Sequence, residues 1–197
     1  MDAKQDEELI VEYQQGNQNA LNEIFSRYKG KIFNFALRLL QDRAEAEDVT
    51  SDVFLALSAG KYTRSTSARL STWLFIVARN ACISRMRQRG RHIGLWFKRD
   101  EGDDCQQLDI PDKENIPSEQ LQRQEDAVLV KKAIAKLPAL QRQALILREY
   151  HKMDYAQIAQ VLDCSLANVK ILIFRAREHL RRDLSGLILE EDNNGSQ

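Results

Sequence analysis

A chain of 197 residues, 43% hydrophobic and 29% charged, has the composition of a soluble globular protein and room for one medium domain or two small ones. It contains no apolar run of the roughly 18 to 20 residues that span a bilayer, and Met1 to Glu12 is acidic without a hydrophobic signal region, so a cytoplasmic protein with no membrane insertion is expected. Cys82, Cys105 and Cys164 and the three histidines, His92, His151 and His179, are too widely spaced for a zinc site, so no metal and no cofactor are expected.

The net charge of zero conceals blocks of opposite sign. Residues 79–99 carry seven basic side chains and no acid, 100–126 carry ten acids against Lys113 and Arg123, and 127–182 carry eleven cations against four acids. Two basic regions separated by an acidic one point to two polyanion-facing surfaces.

In chain order, Asp6–Tyr28 has helical spacing broken at Gly16-Asn17, which predicts two helices. A third is predicted at about Lys31–Leu40, and a fourth at about Arg43–Ala59 with Asp42 as its N-cap. Gly60–Leu70 is polar and irregular, and a longer helix starts near Ser71 or Thr72 and runs through Trp73, Leu74, Ala81 and Met86. From Leu95 to about Gln120, Gly, Pro and Asp replace the periodic pattern, as in an extended, self-repelling linker. Helical periodicity resumes near Glu119, and Pro138 suits the first turn of another helix. The expected fold is all-α: two small helical domains, 1–94 and 121–184, joined by an acidic flexible linker, 95–120, with an acidic tail at 185–197.

Residues 154–182 read as a helix-turn-helix. Asp154 and Gln157 have capping-box spacing, Asp163-Cys164 makes the turn, and Ser165 caps a second helix. That helix is expected to bury Leu166, Val169 and Ile173 and to present Asn168, Lys170, Arg175 and Arg177, a shape that fits the DNA major groove. An amphipathic hairpin with a solvated basic face has the same pattern. In the earlier long helix, Trp73, Phe75 and Asn80 accompany Arg79, Arg85 and Arg87. Aromatics beside cations suit unstacked bases and phosphates, although a tryptophan at the position of Trp73 is more often core than platform. Glu45, Glu47, Asp48 and Asp52 lie on the fourth helix with Val53, Phe54 and Leu57. They suit docking of a basic partner with Phe54 or Leu57 as apolar anchor, a solvated face, or a metal-dependent nuclease, though their spacing scatters them around the helix.

These segments resemble the sigma-70 family of RNA polymerase sigma factors, in its extracytoplasmic-function (ECF) group. The resemblance covers about residues 5–94 and 120–182. It rests on "RLLQDRAEAEDVTSDVF" (38–54) and "STWLFIVARNACISRMRQR" (71–89) for region 2, and on "LPALQRQALILREYHKMDYAQIAQVLDCSLANVKILIFRAREHLR" (137–181) for region 4. It implies a factor, not an enzyme, that binds core polymerase through the largest-subunit clamp and the flap region. Glu47, Asp48, Asp52 and Phe54, with Leu57, match the clamp-docking stretch. Arg79, Asn80, Ser84 and Arg85, with Trp73 and Arg87, match the helix facing the melted, single-stranded −10 element. The loop Lys61–Leu70 resembles the segment that helps hold a flipped base. Ser165, Asn168, Lys170, Arg175 and Arg177 match the helix entering the −35 duplex. An anti-sigma partner is common in the group.

The sequence departs from the family pattern in three places. Ser51 stands in place of a usual Gln, whose polar core contact would then be missing; Asp163 replaces a common Gly; and Ile171 and Leu172 replace a small polar residue and an Arg. The competing reading is a stand-alone helix-turn-helix regulator, for which no dimerisation heptad is evident.

Overall fold

The computed structural model describes residues 5–62, 68–88 and 128–194, with side-chain surroundings up to residue 185. All regular structure among them is helical: α1 (Asp6–Gln14), α2 (Gln18–Leu40), α3 (Arg43–Ser58), α4 (Leu70–Gln88), α5 (128–136), α6 (Ala139–Glu149), α7 (Tyr155–Leu162) and α8 (Leu166–Asn194). No single described helix is long and apolar enough to cross a membrane.

The chain does turn at Gly16, whose φ of 100° favours glycine, and Asn17 then caps α2 by accepting the Asn19 N–H at 3.1 Å. The expected third helix at 31–40 is not separate. Ile24, Tyr28, Ile32, Phe35, Ala36 and Leu39 form one unbroken buried stripe along the 23-residue α2, so packing carries Gly30 through in helical conformation. Gln41 ends α2 with a left-handed φ of 54°, and Asp42 caps α3 by accepting the Glu45 N–H at 3.0 Å. α3 buries Ala46, Val49, Val53, Phe54 and Leu57 against α2 and α4. Asp6 of α1 accepts from Arg27 at 2.9 Å and from the Tyr28 hydroxyl, tying α1 to α2.

In the C-terminal half, Pro138 is the N-cap of α6, one residue ahead of the first helical turn predicted for it. Arg148 of α6 donates to the Met153 carbonyl at 2.8 Å and lies over the Tyr155 ring, setting the turn into α7. The predicted capping box forms: Asp154 accepts the Gln157 N–H at 2.7 Å and Gln157 accepts the Asp154 N–H at 3.0 Å. Asp163 takes φ 54° and ψ 53°, so an aspartate does make the left-handed turn. α7 and α8 meet at 96°, within the range of a helix-turn-helix. α8 is longer than expected: its backbone continues past the anticipated boundary at 184 into the acidic tail, to Asn194.

The N-terminal helices α1–α4 and the C-terminal helices α5–α8 pack on each other, α4 against α7 and α2 against α6, and one apolar core runs through both sets. The expected linker, 95–120, lies outside the described residues, as does residue 63–67 of the loop Lys61–Leu70.

Candidate nucleic-acid interface

On α4, helical periodicity divides the predicted −10 residues between two faces. Asn80, Ser84 and Arg87 are exposed at i, i+4 and i+7, one continuous polar edge. Arg85 is half-buried and paired with Asp52 of α3 at 2.7 Å. Trp73 is a correction: it is buried, edge-on to Tyr62 with ring centroids 5.4 Å apart, and is a core residue with no free face for a base. Arg79 also points inward and is 8% exposed, its Nε donating to Oε1 of Gln143 on α6 at 2.9 Å. Burial lowers its guanidinium pKa, opposed by the nearby Asp163 and Cys164.

The acidic residues of α3 do not converge. Glu47 is exposed and paired with Arg43 at 3.0 Å, Asp48 is exposed, and Asp52 holds Arg85. Among the described residues, no three His, Cys, Asp or Glu side chains are placed to hold a metal ion. The apolar anchors need correcting. Leu57 is 1% exposed, and Phe54 is buried against Phe25 at 4.7 Å, so both support the core; the exposed apolar residue of α3 is Leu55, at 64%. Ser51 is exposed and donates to the Glu47 carbonyl, so its replacement of Gln removes no core contact.

On α8, Ser165 accepts the Asn168 N–H at 3.2 Å, as an N-cap should. Ser165, Asn168, Lys170 and Arg175 are all exposed. Leu166, expected in the core, is 44% exposed; Val169, Leu172, Ile173 and Ala176 form the buried stripe instead. The unusual apolar pair therefore separates, with Leu172 in the core and Ile171 48% exposed. Directly opposite the buried stripe lie Ala167, Ile171 and Phe174, flanked by Lys170 and Arg175. Arg177 sits at the edge of that face, donating to Glu149 of α6 at 2.6 Å; this bond holds Glu149 below its ordinary pKa and raises that of Arg177. Phe174, 66% exposed, was not singled out in the sequence; once Val169, Leu172 and Ile173 define the core face, the helical period places it outward.

Sequence reading also missed what α6 and α7 bring to α4. The His151 ring lies 4.7 Å from Phe75 and 5.9 Å from Phe35, and its buried Nε2 has no hydrogen-bond partner among the described residues. Burial, with Arg38 and Lys31 adding to it, pushes its pKa down to about 4. Arg38 of α2 lies over the Tyr150 ring at 4.1 Å. No local pattern pairs residues so distant in sequence.

Comparison with known proteins identifies the family. Residues 24–92 match Sigma-70 region 2, and residues 127–180 match Sigma-70, region 4. The RNA polymerase sigma-H factor of Pseudomonas aeruginosa is 32% identical over an alignment covering 95% of this chain and 97% of that protein. The ECF RNA polymerase sigma factor SigW of Bacillus subtilis is 27% identical, covering 90% and 96%. Among solved structures, the sigma factor RpoE from Bartonella quintana, in complex with the anti-sigma factor NepR, superposes with a TM-score of 0.62 at 26% identity, covering 83% of this chain and 96% of that one. CnrH, in complex with the cytosolic domain of CnrY, shares the fold at a TM-score of 0.67 and 22% identity, covering 92% and 97%. The chain belongs to the sigma-70 family of RNA polymerase sigma factors, in its ECF group.

Proposed function

We propose that this sigma factor reads the melted −10 strand with α4 and the −35 duplex with the amino-terminal half of α8. The observation that carries the reading is the exposed edge Asn80, Ser84, Arg87 on α4, with the half-buried Arg85 beside it. An amide there can pair with the edge of an unstacked base while guanidinium groups hold the flanking phosphates. On α8, Asn168, Lys170 and Arg175 supply polar and cationic contacts, and Ile171 supplies an apolar one suited to a thymine methyl. Arg177 contributes by fixing α8 to α6 through Glu149.

Docking on core polymerase belongs to α3, where Glu47, Asp48 and Asp52 form an acidic surface with Leu55 as its exposed apolar element. Complementary charge speeds encounter and fixes register, and the apolar contact adds affinity. The domain division accords with this: 1–94 for core and −10 binding, 121–184 for −35 binding, joined by the acidic segment 95–120. Nucleotide chemistry stays with the polymerase, in the cytoplasm. NepR on RpoE makes an anti-sigma factor a partner class for this chain as well.

The test is multi-round transcription with purified bacterial core polymerase on a pool of genomic promoter fragments, with and without the protein. Discrete transcripts only in its presence, whose aligned upstream sequences share −10 and −35 elements, are the expected result. Failure to bind core would instead favour a stand-alone helix-turn-helix regulator.

A further inference from the structure

We propose that Ile171, at the centre of the exposed face of α8, selects the C5 methyl group of thymine, so that the −35 element of this factor contains a T·A pair whose methyl is required for full binding. The inference rests on the proposed placement of α8 in the −35 duplex.

Helical geometry lays out that face. Ala167, Ile171 and Phe174 are exposed at i, i+4 and i+7. They span about 10 Å of helix, the length of about three stacked base pairs. Lys170 lies to one side of Ile171, and Asn168 and Arg175 to the other. From Ser165 to Arg177 the chain carries no acid, and Glu178, the first to follow, is paired with Arg181 at 2.6 Å. An apolar strip bordered by cations fits a surface that is apolar in the middle and anionic at its edges. The major groove at a T·A pair is such a surface, with the thymine methyl lying between two phosphate backbones.

The chemistry of the strip decides what it can distinguish. Ala167, Ile171 and Phe174 have no side-chain donor or acceptor, so they cannot read the hydrogen-bonding pattern of a base pair. The apolar group on the base edges of the major groove is the thymine methyl. A cytosine facing Ile171 would instead lose hydration at its amino group and gain no partner. The outward direction of Ile171 is set by the helix. Val169, Leu172 and Ile173 are buried on the opposite side, and Ser165 caps the first turn by accepting the Asn168 N–H at 3.2 Å.

The test uses holoenzyme assembled from the full chain and bacterial core polymerase, on a promoter found by transcription. Competition binding compares the native fragment with fragments in which each −35 thymine in turn, on either strand, is replaced by deoxyuridine, which removes the methyl and keeps the base pair. At one thymine the replacement should weaken binding about fourfold, the worth of one buried methyl. Ile171→Ser should weaken binding of the native fragment by a similar factor and abolish the difference between thymine and deoxyuridine, because serine lacks the apolar surface that covers the methyl. Ile171 is exposed, so this variant should keep the wild-type melting temperature. Equal binding of every deoxyuridine fragment, a −35 element without a T·A pair, or a methyl effect that Ile171→Ser leaves unchanged overturns the proposal. Weaker binding of Ile171→Ser to core polymerase before DNA is added would assign the strip to a protein contact and overturn it as well. A scrambled −35 element separates the two claims. If it binds as well as the native fragment, the −35 reading falls and takes the methyl contact with it. If scrambling weakens binding while deoxyuridine does not, methyl selection alone falls.

Discussion

Asn80 and Arg79 are neighbours in sequence but about 100° apart around α4, and the difference decides what each meets. Asn80 faces solvent, whereas Arg79 faces Gln143. Asn80→Ala should therefore leave folding and −35 duplex binding intact. It should lower −10 opening by about three- to tenfold, the worth of one hydrogen bond, read as permanganate reactivity of promoter thymines. Equal reactivity in variant and wild type would remove Asn80 from the site. His151 makes a second prediction. Its pKa in the folded chain, about 4, lies below the ordinary 6.5, so folding favours the neutral ring. Its stabilising contribution is full above pH 6.5 and is lost as pH falls towards 4, because the ring in the unfolded chain takes up a proton more readily. The melting temperature should fall over that interval, with a smaller change in His151→Asn. An equal change in both would assign the effect to other groups.

Among the helices, α3 shows how burial sorts residues that spacing leaves equivalent. Phe54, Leu55 and Leu57 are all apolar and close together, but only Leu55 projects from the bundle. Phe54→Ala should cost about 3–5 kcal/mol of stability through cavity formation, so any loss of core binding in that variant is confounded by unfolding. Asp48→Ala with Leu55→Ala should instead keep the melting temperature, since exposed substitutions shift stability by about 0.5 kcal/mol or less. The same pair should weaken core binding about tenfold, equivalent to roughly 1.4 kcal/mol. A pull-down with unchanged affinity would refute the α3 docking assignment. α8 was sorted in the same way. A helix with apolar residues at 166, 169, 171, 172, 173 and 174 cannot bury them all, and packing on α6 and α7 chose 169, 172 and 173.

For the molecule as a whole, alternating charge blocks should govern association with DNA. The chain is neutral overall, so its basic surfaces act against the ten acids of residues 100–126. Replacing Asp100, Glu101, Asp103 and Asp104 by their amides should raise affinity for non-specific duplex at low salt. Counterion release and screening should shrink that gain as salt rises through about 0.15 M, where the Debye length is about 8 Å. A gain independent of salt would show that the acids act through folding.

Local and charge-dependent features were legible in the residues alone: the Gly16-Asn17 break, the Asp42 cap, the Asp154–Gln157 box, the left-handed Asp163 and the Ser165 cap. Each is determined by side chains within a few positions of the backbone groups they satisfy. The two basic blocks were equally legible, because charge along a chain is additive. Tertiary structure alone decided that α2 runs unbroken through Gly30, that Trp73 and Leu57 belong to the core, and that Leu166 and Phe174 face outward. It also decided the meeting of Arg79 with Gln143 and of His151 with Phe35 and Phe75. An amphipathic pattern says that a helix has an apolar side, but only the partner helix determines where that side ends and which polar group at its margin is drawn in.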